Sequence, residues 1–203
     1  MKKIILSLFL LAGLIVTGLV VHVHAQGKVI VLDPGHGGSD PGAVYQDLQE
    51  KDVNLDIAQR TKSVLEEAGY TVYLTRTDDS TKSNNDRYTF ANSVGGSALV
   101  SIHLNASSNH EIDYTRSFFG KKRKDLGLTQ AVHGSLAGNL GINDGGIGQY
   151  ASGVLLKSKM PATLAETVFL SSEYEYNLLT NGTGERQQQI AEALAQGIEN
   201  FVK

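Results

Sequence analysis

The stretch Val29-Ile-Val-Leu-Asp-Pro-Gly-His-Gly-Gly-Ser-Asp-Pro-Gly42 decides how the rest of the chain is read. It begins as an apolar, β-branched run from Val29 to Leu32, the pattern of a short buried strand. Asp33-Pro34-Gly35 is expected to stop that strand, because proline donates no backbone hydrogen bond and glycine permits a sharp turn. His36 then stands alone among Gly35, Gly37 and Gly38, so that a ligand can approach its imidazole closely. Asp40-Pro41-Gly42 closes the loop. A histidine displayed at the carboxyl end of a buried strand is well placed for chemistry in an α/β protein.

Outward from this loop, periodicity predicts alternating helices and strands. Val53, Ile57, Thr61, Val64, Leu65 and Ala68 follow helical spacing over residues 50–68, with Gly69 as a C-cap. Tyr70 to Thr75 reads as a strand, Asn85 to Ser93 as a helix, and Ser97 to His103 as a second buried strand ending on a histidine. Asp113 to Phe119 reads as a strand. Lys121 to Leu140 reads as a helix weakened by three glycines. Gly141 to Gly148 is expected to be a glycine-rich loop, and Gly153 to Lys157 a short strand. Ala162 to Leu170 reads as a strand holding one carboxylate, Glu166. A short helix from Glu173 to Leu179 and a long amphipathic one from Glu185 to Val202 follow. The alternation predicts a single α/β domain with a mostly parallel central sheet flanked by helices.

Composition narrows the function. A net charge of −3 offers no strongly basic field, so nucleic acid is not the expected partner. The absence of cysteine excludes disulfides, thiolate catalysis and cysteine-ligated zinc. Met1-Lys2-Lys3, the apolar run Ile4 to Val21 and Val23-His24-Ala25 form a signal-peptide pattern over residues 1–25, with a mature domain from about Gln26 to Lys203. The apolar run is nearly long enough to span a bilayer, so an uncleaved anchor through residues 4–21 is the alternative. Either arrangement sets the chain to work outside the cytoplasm: secreted, periplasmic or cell-wall associated. His22 and His24 fall in this segment and are set aside.

Three chemical signals then converge. His36 follows a strand, His103 ends a strand, and Glu166 interrupts an otherwise apolar strand, where a carboxylate is costly unless paired, protonated or metal-bound. Glu50 heads the helix after the His36 loop and has two readings, a first-turn acid favoured by the helix dipole or a group folded back to the same sheet edge. Two histidines and a carboxylate suit a catalytic zinc that keeps one position open. A second carboxylate would move the proton. No Gly-x-Ser-x-Gly elbow or phosphate-binding glycine loop competes with this reading.

Five segments carry a family resemblance: Leu32 to Ala43, Glu50-Lys-Asp-Val-Asn-Leu55, Leu74-Thr-Arg76, Ser101-Ile-His-Leu-Asn-Ala106 and Leu164 to Ser171. In this order, across residues 28–203, they closely resemble the zinc-dependent N-acetylmuramoyl-L-alanine amidases of the Amidase_3 type. The resemblance implies one Zn2+ per chain on His36, Glu50 and His103, and Glu166 as the catalytic carboxylate. It implies peptidoglycan as substrate, cut between N-acetylmuramic acid and the L-alanine of the stem peptide, and a monomer as the working unit. The chain departs from the family pattern at Ser172 and Val168, where asparagine and glycine are common, and by lacking an arginine near Asp144-Gly-Gly146. The short segment from Ala106 to Gly145 leaves no room for an occluding helical insertion, so built-in autoinhibition is not expected, nor are added wall-binding repeats. A catalytically inactive wall-binding or activator module of the same fold is the contrasting hypothesis, and the intact set of four residues speaks against it. An enzyme acting on another exported amide is a third. His110 is expected to line the cleft and His133 to sit at the surface or in a groove. Lys121-Lys-Arg-Lys124 reads as a solvated basic face, with weak docking to anionic wall polymers as the alternative.

Overall fold

A computed structural model describes residues 27–203. The expected leader at 1–25 and anchor at 4–21 therefore lie outside the described residues. Strand β1 (Val29–Pro34) leads through the short hairpin β2 (Val44–Tyr45) and β3 (Leu48–Gln49) into helix α1 (Glu50–Glu67). Then come β4 (Thr71–Leu74), α2 (Asn84–Val94), β5 (Ala98–Asn105), β6 (Tyr114–Phe119) and α3 (Lys122–Asn139). The chain ends with β7 (Asn143–Gln149), α4 (Gly153–Lys157), β8 (Ala162–Phe169), α5 (Glu173–Thr180) and α6 (Glu185–Val202). Six strands form one sheet in the order β4-β1-β5-β8-β6-β7. All neighbours run parallel except β6 and β8, which are antiparallel.

The sheet sorts its side chains by the two-residue period of a strand. Ile30 and Leu32 face a core shared with Ile57 and Leu65 of α1, Val132 and Leu136 of α3, and Ile190 and Leu194 of α6. Val31 and Leu99 face the other way, onto Ala91 of α2 and Val154 and Leu155 of α4. Both faces are covered, so the central strands are mainly apolar on both sides until their carboxyl ends. That is the sequence signature of buried parallel strands.

Three local expectations are corrected. Strand β1 continues through Pro34 instead of stopping before it, because a terminal proline only forfeits one N–H; Gly35 N–H resumes the ladder to Ile102 O at 2.9 Å. The glycine-rich segment is not a loop but the edge strand β7, paired with β6 alone. The run Gly153 to Lys157 is a helix rather than a strand, and Ser152 caps it by accepting the Val154 N–H. Among the described residues, no helix is long and apolar enough to cross a membrane.

Candidate active site

His36, Glu50 and His103 arrive at one point from three elements. The carboxyl end of β1 delivers His36, the first turn of α1 delivers Glu50, and β5 delivers His103. One donor atom from each lies within 4.8 Å of the others. Glu50 Oε2 faces His36 Nε2 at 3.1 Å, and Glu50 Oε1 faces His103 Nδ1 at 3.0 Å. The imidazoles meet edge to face, 4.9 Å between centroids. Glu50 also accepts N–H bonds from Ala43, Leu104 and Asn54. Asp40 faces the outer nitrogen of His36, Nδ1, at 2.9 Å.

Two glycines make room for this cluster. A Cβ on Gly35 would lie 2.3 Å from the His103 ring. One on Gly42 would lie 2.5 Å from Glu50 Oε2 and 2.6 Å from the His36 ring. Gly42 also has φ +67°, and His36 itself has φ +61°, a left-handed conformation that ordinary residues seldom adopt.

The strained turn is held by buried charge. Arg87 donates to Asp33 Oδ1 (2.8 Å), Pro34 O (2.7 Å) and His36 O (2.6 Å). Arg76 donates to Pro34 O, Gly35 O and Lys51 O, which ties the loop to the start of α1. Asp33 is 1% exposed and also accepts from Ser101 and Thr75. Burial pushes its pKa up, but Arg87 and these hydroxyls outweigh it and hold the group below the usual carboxylate range.

The same competition sets the charges at the cluster. Burial works against an imidazolium at His36, yet hydrogen bonds and charge from Glu50 and Asp40 raise its pKa to about 9 in the metal-free protein. Burial would also raise Glu50, but the two imidazoles win and keep it well below its normal value. Glu166 behaves oppositely. It is paired in register with His103 across β5 and β8, and burial, with the nearby Glu50 charge, raises its pKa. Its Oε2 is enclosed and has no partner among the described residues.

A cavity of about 480 Å³ opens over these groups. His36, His103 and Glu166 line it, and its far wall is Phe118, Tyr150 and Val154. The donor set of two imidazole nitrogens and a carboxylate is that of a three-ligand catalytic zinc site. The glycine cradle and the unpartnered Glu166 oxygen beside it fit the same use.

The residue pattern and the fold agree with known proteins. A family model described as N-acetylmuramoyl-L-alanine amidase matches residues 30–200. The chain belongs to the N-acetylmuramoyl-L-alanine amidase family. The catalytic domain of CwlV from Bacillus (Paenibacillus) polymyxa var. colistinus superposes with a TM-score of 0.81 at 30% identity, over 87% of this chain and 98% of that one. The germination-specific N-acetylmuramoyl-L-alanine amidase of Bacillus subtilis is 33% identical over 87% of this chain and 80% of its own length. N-acetylmuramoyl-L-alanine amidase LytC of Bacillus subtilis is 31% identical over 87% of this chain, which spans only 36% of that longer protein.

Two histidines sit differently from expectation. His133 is buried on the inner side of α3, with Nε2 2.7 Å from Asp144 Oδ1. His110 lines a neighbouring groove with Asp113, Asn143 and Tyr174 rather than the amidase-family cleft. In the basic run, Lys121 bonds Leu155 O and pairs with Asp125, and Lys124 bonds Lys159 O. Sequence reasoning gave Asp33 and Asp40 only a turn-forming part and Arg87 none, and Asn54 and Arg76 entered only as motif letters. Asp33 carried a usable signal, since a carboxylate at the end of a buried strand needs a partner as much as Glu166 does.

Proposed function

We propose that this chain is an exported, zinc-dependent peptidoglycan amidase. It would cleave the amide between N-acetylmuramic acid and the L-alanine of the stem peptide. The observation that carries the reading is the three-ligand cluster of His36, Glu50 and His103 beside a Glu166 oxygen with no partner among the described residues, in one cavity. The ion would be held by the ring nitrogens of His36 and His103 that face Glu50, together with the Glu50 carboxylate. When bound, zinc supplies Lewis-acid chemistry, polarising the amide carbonyl and making water more acidic.

The remaining work falls to the chain. Asp40 fixes the orientation and tautomer of His36 through Nδ1, as a carboxylate behind a ligand histidine does. Asn54 donates to Glu50 Oε1 and fixes the orientation of that carboxylate. Glu166, whose pKa burial raises, suits general acid–base duty: ionised, it takes the proton of the attacking water and returns it to the leaving amine. Phe118, Tyr150 and Val154 shield that transfer from bulk water on the far wall.

Residues 1–25 are proposed to direct export and 26–203 to be the working domain, acting alone on the wall. N-terminal sequencing of the exported protein separates a cleaved leader from an anchor. The activity is tested on purified peptidoglycan with and without a strong chelator; equal release of stem peptide in both arms would sink the metal requirement. Glu166→Ala should keep zinc and lose about 10²–10⁴-fold in kcat. Near wild-type turnover in that variant would remove Glu166 from the mechanism.

A further inference from the structure

Arg116 stands on β6 directly opposite Glu166 of β8 in an antiparallel register. Residues so paired share one face of the sheet, with Cβ atoms about 4.5–5.5 Å apart. The next pair on that face is Phe118 with Leu164. Glu166, Leu164 and Phe118 all line the cavity. Arg116 is the fourth corner of a patch whose other three corners are cavity wall.

Its guanidinium leans away from Glu166 toward β7. The Cζ atom lies over the Phe118 ring, 5.2 Å from the centroid. Gly148 of β7 provides the space, since a Cβ there would be 3.2 Å from that ring and 3.5 Å from Arg116 Nη2. Arg76, Arg87 and Arg186 each spend their N–H groups on carbonyls or carboxylates. Arg116 makes no such bond among the described residues, and its buried Nε has no partner. A buried charged donor left unpaired is costly. A planar guanidinium fork matches a carboxylate in shape as well as charge.

We propose that Arg116 is a specificity residue that receives a carboxylate of the substrate's peptide, one to two residues beyond the scissile amide. This rests on the amidase reading above. The spacing follows from the sheet. Strands lie about 4.7–4.9 Å apart, so a guanidinium between β6 and β7 is roughly 5–10 Å from Glu166. An extended peptide advances about 3.3–3.6 Å per residue, which sets the second stem residue against Arg116. That residue carries either a free α-carboxylate or its amide in different walls, and Arg116 selects the carboxylate.

The test compares two soluble muropeptides that differ only in that group, carboxylate or carboxamide, with the zinc-loaded enzyme. The wild type should favour the carboxylate by about 10–100-fold in KM, the order expected when a buried donor loses its charged partner. Arg116→Gln should raise KM for the carboxylate substrate to the level of the amide, with kcat and zinc content unchanged. Arg116→Lys should recover part of the preference. The proposal is overturned if the wild type does not discriminate, if Arg116→Gln impairs both substrates equally, or if the preference is lost in Lys82→Ala instead, a lysine that lines the cavity. If the wild type cleaves neither muropeptide, the amidase reading fails by itself. Calorimetric binding of the two free stem peptides then decides the inference: carboxylate-dependent binding that Arg116→Gln abolishes upholds it, and equal binding overturns it.

Discussion

Arg87, which lines the cleft, and Arg116, on the strand beside it, are used in opposite ways. Arg87 is 5% exposed, and three carbonyl groups and one carboxylate accept its N–H groups, two of those carbonyls belonging to the His36 turn. Arg116 stands on β6 opposite Glu166, its Cζ over the Phe118 ring, and its buried Nε has no partner among the described residues. The difference separates the two walls. The wall from β1, α1 and β5 is over-determined by buried hydrogen bonds, as a wall must be if it holds three donors at fixed spacing. The β6 side, which rests against an edge strand rich in glycine, leaves its cation for a ligand. Precision is confined to the side that carries the ligands.

The largest effect should come from breaking the first wall. Arg87→Met strands the Asp33 charge and two turn carbonyls, and removing one partner of a buried pair typically costs about 3–5 kcal/mol. Denaturant unfolding should show that loss, and zinc titration should show weaker binding in whatever remains folded. Arg116→Met, by contrast, removes no bond of the fold and should change stability by less than about 1 kcal/mol. Comparable losses in the two variants would erase the distinction between the walls.

This contrast also marks what could be read from the sequence. Three of the four residues drew attention by sitting in places that need explaining, His36 among glycines, His103 at a strand end and Glu166 inside an apolar run, whereas Glu50, in a first turn, kept two readings until the family resemblance picked it out. The parallel core strands were legible for the same kind of reason, as continuous β-branched runs. Arg87 was not, because it lies in a polar stretch whose burial depends on tertiary packing against Asp33. Strand β7 was hidden by Gly145, Gly146 and Gly148, which look like a loop until β6 pairs with them. Helix α4 was hidden because five residues are too few for periodicity to tell helix from strand. His133 was misplaced because the glycines of α3 blur which side faces inward.

A pair of glycines sharpens the comparison at smaller scale. Gly42 and Gly146 share a left-handed backbone, φ +67° and +73°. An added methyl on Gly42 meets Glu50 and His36, whereas nothing lies within 4 Å of one on Gly146. Both alanine variants carry the left-handed strain of roughly 1–2 kcal/mol. Gly42→Ala adds overpacking of about 1–3 kcal/mol and pushes on two ligands. Zinc affinity should therefore drop in Gly42→Ala and stay at the wild-type value in Gly146→Ala, both read by competition with a chelating dye. Equal zinc affinity in the two would mean that the cradle is not tight.

The smallest effect concerns two carboxylates that burial treats alike and neighbours treat differently. Glu50 is held ionised between two imidazoles. Asp113, just before β6, is raised to about 6, first by burial and then by the adjacent Glu175 charge, with Arg186 and the Phe169 N–H pulling the other way. Its Oδ1 has no partner. The unfolded chain releases this proton near pH 3.8, whereas the folded chain keeps it to about pH 6. Between those values the native state binds more protons, so its stability falls as pH rises, and the loss is complete above pH 6. Asp113→Asn cannot ionise and escapes the loss. The variant should therefore be more stable than the wild type at pH 7.5, by on the order of 1 kcal/mol once solvent screening is allowed for. At pH 3.5 the two proteins should melt together. A gain of the same size at both pH values would assign the effect to shape rather than charge.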